Sequence, residues 1–167
     1  MTRPSFETAL AKGEIGEQIV KHLMESVGWV VYRPVTEGAH HFDMLCIKDK
    51  RTAVAFDVKA KARMNNLPAT GIDKRHFDEY TRFSNRHQMP FWIVFVDEME
   101  RRVYGNEIAE LEKERNVGGL KYPRHIRGGK IRIWPLEAMR HIASLDEAQA
   151  ESLIALSQRN YGYGAVA

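Results

Sequence analysis

Three charged side chains interrupt what would otherwise be two plain hydrophobic strands. In "FDMLCIKDKRTAVAFDVKAK", residues 42–61, Asp43 heads the first apolar run, and Asp57 and Lys59 sit in the second. Side chains alternate across a strand, so Asp57 and Lys59 share a face with Ala53, Ala55 and Lys61, while Val54, Phe56 and Val58 take the other. A hairpin with an odd loop such as Asp49, Lys50 and Arg51 centres its turn on Lys50 and sets Asp43 opposite Asp57. Like charges opposite one another destabilise a sheet. A divalent cation between them reverses the sign, and carboxylate oxygens suit hard ions such as Mg²⁺ or Mn²⁺, which keep waters and can touch phosphate at the same time. Asp57-Val58-Lys59 is the only acid-x-lysine triplet in the chain. On these two strands alone, a half-exposed sheet with ordinary surface charges reads equally well.

The preceding helix adds a third acid. Ile15, Ile19, Val20, Leu23, Met24 and Val27 recur at helical spacing over residues 14–27, and Gly28 stops the run. The stripe centres near Gly16, where a missing side chain allows close approach to a sheet. Glu17 borders the stripe and can turn toward the aspartates, whereas Glu14 projects almost directly away. A solvated charge beside the core is the competing reading of Glu17.

Around these residues the spacing predicts a strand in "WVVYRPV" (29–35) and a loop in "TEGAHH" (36–41). After the hairpin, "NNLPATG" breaks the chain before a second helix over Asp73 to Gln88, marked by Phe77, Tyr80 and Phe83. "FWIVFV" (91–96) is apolar on both faces and reads as a buried central strand, with "RRVYG" as its hairpin partner. There follow a short helix from about Asn106, a Gly-rich basic loop over 116–130, "KIRIW" as a late strand, and helical patterns to about residue 159. The expected organisation is one domain over 1–160, with a core at 13–96, an elaboration at 101–160, and a flexible tail at 161–167.

Composition narrows the function classes without choosing one. The 167 residues, 44% hydrophobic and 28% charged, suffice for one domain with a real core. No apolar run approaches the roughly 20 residues that span a bilayer, and "MTRPSFETALAKGE" lacks the apolar centre of a signal peptide, so a cytoplasmic protein with no membrane partner is expected. The single cysteine, Cys46, excludes an internal disulfide and a Cys-rich zinc site. The net charge of +3 permits nucleic-acid binding without requiring it.

The order helix with glutamate ("GEIGE"), strand, loop, "FD", turn, "DVK", helix, buried strand resembles the PD-(D/E)XK nuclease superfamily, over roughly residues 13–96. That resemblance implies an α/β fold, a restriction-endonuclease-like mixed β-sheet flanked by helices. It implies Asp43, Asp57 and Glu17 as metal ligands and, with Lys59, as the catalytic set. Phe42 stands where the motif's name has proline. "GEIGEQIVKHLMESVGW" is most similar to the Holliday junction resolvase branch. The expected activity is a Mg²⁺-dependent or Mn²⁺-dependent DNA endonuclease hydrolysing phosphodiester bonds. A sequence-specific restriction-type enzyme and an inactive nucleic-acid-binding module are the alternatives, and a homodimer is implied by the family. A bound ion would acidify its water and neutralise charge on the phosphorane-like transition state. Lys59 beside acids is an orienter of water and stabiliser of phosphate, or a base if the metal's charge dominates.

Lys61, Arg63, Lys74, Arg75, Arg82 and Arg86 are the candidate DNA contacts, because lysine and arginine around such a site position a phosphate backbone. Asn65 and Asn66 follow the motif, and "KYPRHIRGGKIR" is a second basic patch. A solvated face accounts for each equally well. His40 and His41 are secondary ligand candidates, and Thr36 and Glu37 secondary phosphate contacts.

Overall fold

The computed structural model describes residues 6–35, 42–50, 52–61 and 68–161. Arg63, Asn65, Asn66, Thr36, Glu37, His40, His41 and the tail from residue 162 lie outside the described residues. Helix α1 runs over Phe6–Ser26 and is followed by strands β1 (Val30–Tyr32), β2 (Met44–Asp49), β3 (Thr52–Ala60) and β4 (Ala69–Asp73). Helix α2 (Lys74–His87) leads to β5 (Phe91–Asp97), β6 (Arg102–Glu107) and a one-turn helix α3 (Ile108–Leu111). Short strands β7 (Arg115–Val117), β8 (Leu120–Tyr122) and β9 (Arg124–Ile126) precede β10 (Ile131–Pro135), β11 (Arg140–Ser144) and helix α4 (Glu147–Tyr161). No helix among the described residues is long and apolar enough to cross a membrane.

The main sheet has the order β1-β2-β3-β5-β6-β11 and is mixed: β3 and β5 are parallel, the other neighbours antiparallel. A parallel pair needs a long crossover, and β4 with α2 supplies it. β5 runs down the middle as its two-sided hydrophobicity predicts, with Ile93, Val94, Phe95 and Val96 all at 0% exposure. Val94 and Val96 face a core shared with Ile19 and Val20 of α1 and Leu153 of α4. Ile93 and Phe95 face a second core with Phe77 and Tyr80 of α2. Helices thus cover both faces.

Helix α1 starts two turns before the predicted Glu14, because "FETALAK" is composed of good helix formers although its apolar stripe has not yet begun. It ends before Gly28 as expected, but Val27 lies past its last turn and is 59% exposed, not part of the stripe. Gly16 packs on the sheet: a side-chain carbon added there would stand 2.7 Å from Ala60 Cβ. Near the start of α1, Lys12 pairs with the buried Glu98 that follows β5, and Ser157 of α4 donates to the same carboxylate oxygen at 3.0 Å.

Helix α2 matches its expected limits, capped by the Asp73 side chain on the Arg75 amide and by Gln88 in the left-handed region. The predicted breaker and basic loop do not hold. "ATGID" forms β4, and residues 115–126 form β7, β8 and β9. β4 and β9 flank β10 in a second, three-stranded sheet. Residues 140–144, expected to be helical, form the edge strand β11.

Candidate active site

The hairpin register is the one that aligns the two aspartates. Met44 pairs with Phe56 and Cys46 with Val54, which extended by one residue sets Asp43 opposite Asp57, and the Asp43 amide donates to Phe56 O at 2.8 Å. The route differs from the predicted odd loop. The ladder closes at Asp49–Thr52, and a register shift between Ile47 and Asp49 restores the phase. Asp49 Oδ1 accepts the Thr52 amide at 2.9 Å and fixes the turn.

Asp57 is 3% exposed, on the α2 side of the sheet. Its Oδ1 accepts two hydrogen bonds, from Lys59 Nζ at 2.7 Å and from the Tyr80 hydroxyl at 2.5 Å. Its Oδ2 is buried with no hydrogen-bond partner. Burial pushes the Asp57 carboxyl above the usual range, Lys59 opposes this, and Asp43 adds to it. Tyr80, raised by its own burial and by Asp57, is a neutral donor. Asp43 Oδ2 accepts the Val58 amide at 2.6 Å, which anchors that carboxylate to the neighbouring strand.

Glu17 reaches the site from the other side. Helix α1 packs on the face opposite Asp57, with Gly16 on Ala60, and Glu17 and Asp43 both line a cleft of about 580 Å³ at the end of the hairpin. Leu10, Ala11, Glu14, Arg33, Pro34 and Val35 line the rest of it among the described residues. Glu14, read from the helical wheel as pointing away, is in this cleft. Its side chain is 55% exposed against 19% for Glu17, so the wheel ordered burial correctly, but the strand end beyond β1 draws it in. Arg33 makes two bonds to Glu14, at 2.9 and 3.0 Å, and a third to Glu17. This guanidinium, with help from Gln18, holds the Glu14 carboxyl down at about 2. Arg33 was not singled out from sequence. Its signal was a lone arginine in "WVVYRPV" facing two acids three residues apart in "GEIGE".

Lys61 is directed inward, not toward a ligand: Nζ donates to Gly71 O and lies 5.5 Å from the Phe95 ring centre. Burial, with Lys59 nearby, lowers its ammonium to about 8. Lys74 pairs with Asp78, while Arg75, Arg82 and Arg86 are exposed on α2.

Among the described residues no three Asp, Glu, His or Cys side chains gather closely enough to enclose a metal ion. The donor set nevertheless fits Mg²⁺, which takes one or two carboxylates and completes its shell with water and phosphate. Asp43 and Asp57 would be that pair, and the unpartnered Oδ2 of Asp57 is a buried oxygen suited to a cation.

This architecture has a counterpart of known structure. Hjc, a Holliday junction resolvase from Archaeoglobus fulgidus, superposes with a TM-score of 0.53 at 13% identity, covering 84% of this chain and 99% of that one. The two share a fold. It is the restriction-endonuclease-like fold, a central mixed sheet flanked by helices. No protein-family model and no curated protein matches the sequence.

Proposed function

We propose that this chain is a divalent-cation-dependent DNA endonuclease of the PD-(D/E)XK type that hydrolyses phosphodiester bonds with a preference for branched DNA. The observation that carries the reading is the Asp43/Asp57/Lys59 constellation, with its unpartnered buried carboxylate oxygen, on the fold of a junction resolvase. Asp43 and Asp57 would hold Mg²⁺ or Mn²⁺, and Glu17 joins them through the cleft it shares with Asp43. When bound, the ion acidifies a water and offsets charge on the phosphate. Lys59, 29% exposed and bonded to Asp57, is placed to orient that water and to meet a phosphate oxygen. Tyr80 keeps Asp57 in one rotamer by donating to Oδ1, so that Oδ2 is the oxygen left for a cation.

Arg75, Arg82 and Arg86, with Lys74, are the contacts assigned to the phosphate backbone. Arg33 is assigned a holding role on Glu14 and Glu17. A homodimer is the assembly proposed for paired incisions. One observation favours a second reading, a binding module without turnover: Asp57 is almost fully buried under Tyr80.

A panel of four-way-junction, flap, linear, supercoiled and single-stranded DNA decides between them, incubated with Mg²⁺, Mn²⁺ or chelator. Cleavage of the junction that needs metal and is lost in Asp57→Asn supports the nuclease. Tight binding to DNA without cleavage in either metal supports the module. Metal-dependent cutting of one short duplex sequence points to the restriction-type enzyme instead.

A further inference from the structure

We propose that the turn between β9 and β10, set against the outer face of α2, is a docking surface for the backbone of duplex DNA. The inference rests on the endonuclease reading for its partner. Phe77 and Tyr80 turn one side of α2 into the core, at 1% and 6% exposure. Arg75, Arg82 and Arg86, spaced by seven and four residues, share the opposite side and are exposed. At 1.5 Å per residue that row is about 16 Å long, roughly five nucleotide steps of one DNA strand.

The basic loop predicted from sequence is where the second half of the surface is built. β9 and β10 form a hairpin, and its turn, Arg127-Gly128-Gly129, takes φ values of 51, 64 and 85°. Ile131 pairs with Asp73, and the Lys74 amide donates to Lys130 O at 2.8 Å. The turn is thereby fixed against the first turn of α2, and a cleft of about 340 Å³ separates them, with Arg75, Arg82 and Lys130 on its walls.

Charge pairing neutralises some cations and leaves others, among them Lys48, Lys50, Arg102, Arg124 and Arg140 as well as those of this surface, without an acid among the described residues. Lys12, Arg33, Lys113, Lys121 and Arg132 each pair with a glutamate. Arg75, Arg82, Arg86, Arg127 and Lys130 have no acidic partner among the described residues. The two acids in the cleft are engaged: Asp73 caps the Arg75 amide, and Asp78 pairs with Lys74. None of the large exposed hydrophobic side chains among the described residues lies on α2 or on this turn. A cationic surface without apolar anchors suits a polyanion, not a lipid surface or an apolar peptide.

The test is binding of the full chain to a labelled 30-base-pair duplex by fluorescence anisotropy, in chelator, from 50 to 200 mM salt. Each phosphate contact contributes about 0.9 to the slope of log affinity against log salt, so Arg127→Gln/Lys130→Gln should flatten it by about 1.8 and weaken binding 10- to 100-fold near 0.1 M. The charge-keeping pair Arg127→Lys/Lys130→Arg should restore both. Wild-type affinity and slope in the glutamine double variant overturn this surface alone. An equally weak charge-keeping variant also overturns it, by making loop shape the cause. Absence of salt-dependent duplex binding in the wild type overturns the surface, and if a four-way junction is equally unbound the DNA reading falls with it. Tighter binding to an RNA hairpin of equal length overturns the choice of partner. Asp57→Asn separates the two claims, since it should abolish cleavage while leaving this salt slope as in the wild type.

Discussion

Replacing Asp57 with asparagine should make the protein more stable and inactive, a combination that a purely structural aspartate cannot give. The amide oxygen can take the place of Oδ1 and go on accepting from Tyr80 and Lys59, while the neutral amide nitrogen removes charge from the buried position where Oδ2 has no partner. An unsatisfied buried polar atom costs about 1–3 kcal/mol. Two carboxylates facing across a hairpin, about 5 Å apart at an effective dielectric of about 20, repel by about 3 kcal/mol. Against these gains stands the loss of a charge-assisted bond from a partly exposed lysine and of its attraction to Asp57, together about 2–3 kcal/mol. The net expectation is a gain of about 1–4 kcal/mol, or about 2–16 °C in melting temperature for a chain of this size.

The pH dependence has a definite sign. The folded-state pKa of Asp57 is raised above 3.8, so the folded protein binds this proton more tightly than the unfolded chain, and wild-type stability falls as pH climbs above 3.8 through the folded value. The advantage of Asp57→Asn should therefore be full at neutral pH and shrink toward pH 4. Thermal melts of both proteins by circular dichroism at pH 7.5 and pH 4 measure it. A lower melting temperature for the variant at pH 7.5, or a difference independent of pH, would refute the reasoning.

Saturating Mn²⁺ without DNA should stabilise the wild type by about 2.7 kcal/mol at one hundred times the dissociation constant, read as a higher melting temperature, and leave Asp43→Asn and Asp57→Asn unmoved. Arg33→Met should let the Glu14 carboxyl climb from about 2 toward 4.5, read by carbon-detected NMR titration. Because that shift is a depression, the stability it contributes is present above 4.5 and lost as pH falls toward 2, and with Glu14 half exposed it should stay under about 1 kcal/mol. Gly16→Ala should cost about 1–3 kcal/mol in urea denaturation, since its new methyl group meets Ala60 Cβ, and Ala60→Gly in the same chain should return part of it.

What could be read from the sequence was what repeats along the chain. The periodicity of α2, the two-sided hydrophobicity of β5 and the alternation in β3 each carry their own signal, and each element lies where that signal puts it. Of the strands that escaped, β4 and β11 are held by partners distant in sequence. Gly71 reads as a breaker, yet it is the residue whose missing side chain lets β10 pair closely with β4, since an added carbon would stand 2.3 Å from Arg132 O. β7, β8 and β9 have three residues each, too few for a period to show. In the candidate site, Asp57 and Lys59 could be placed on one face because alternation is local. Arg33 could not be tied to Glu14, since nothing within either segment says how a strand end meets a helix edge. The inward turn of Lys61 was equally hidden, because Gly71 and Phe95 come from elements with no sequence link to it.

The carboxylate of Glu98 binds Lys12 from the first helix and Ser157 from the last, and this sets a timetable for the site. At about 5–20 residues per second, a ribosome makes Ser157 roughly 7–30 s after Lys12. For about the last two thirds of that interval the hairpin carrying Asp43 and Asp57 has already been made, but the helix carrying Glu17 has only part of what holds it down. Leu153 and Ala150, which close the core over Ile19 and Val20, arrive in the same late stretch. A nascent or C-terminally truncated chain therefore holds the acids on separate, unlocked pieces, and the cutting centre proposed for this protein is assembled only when nearly all of the described chain has been made.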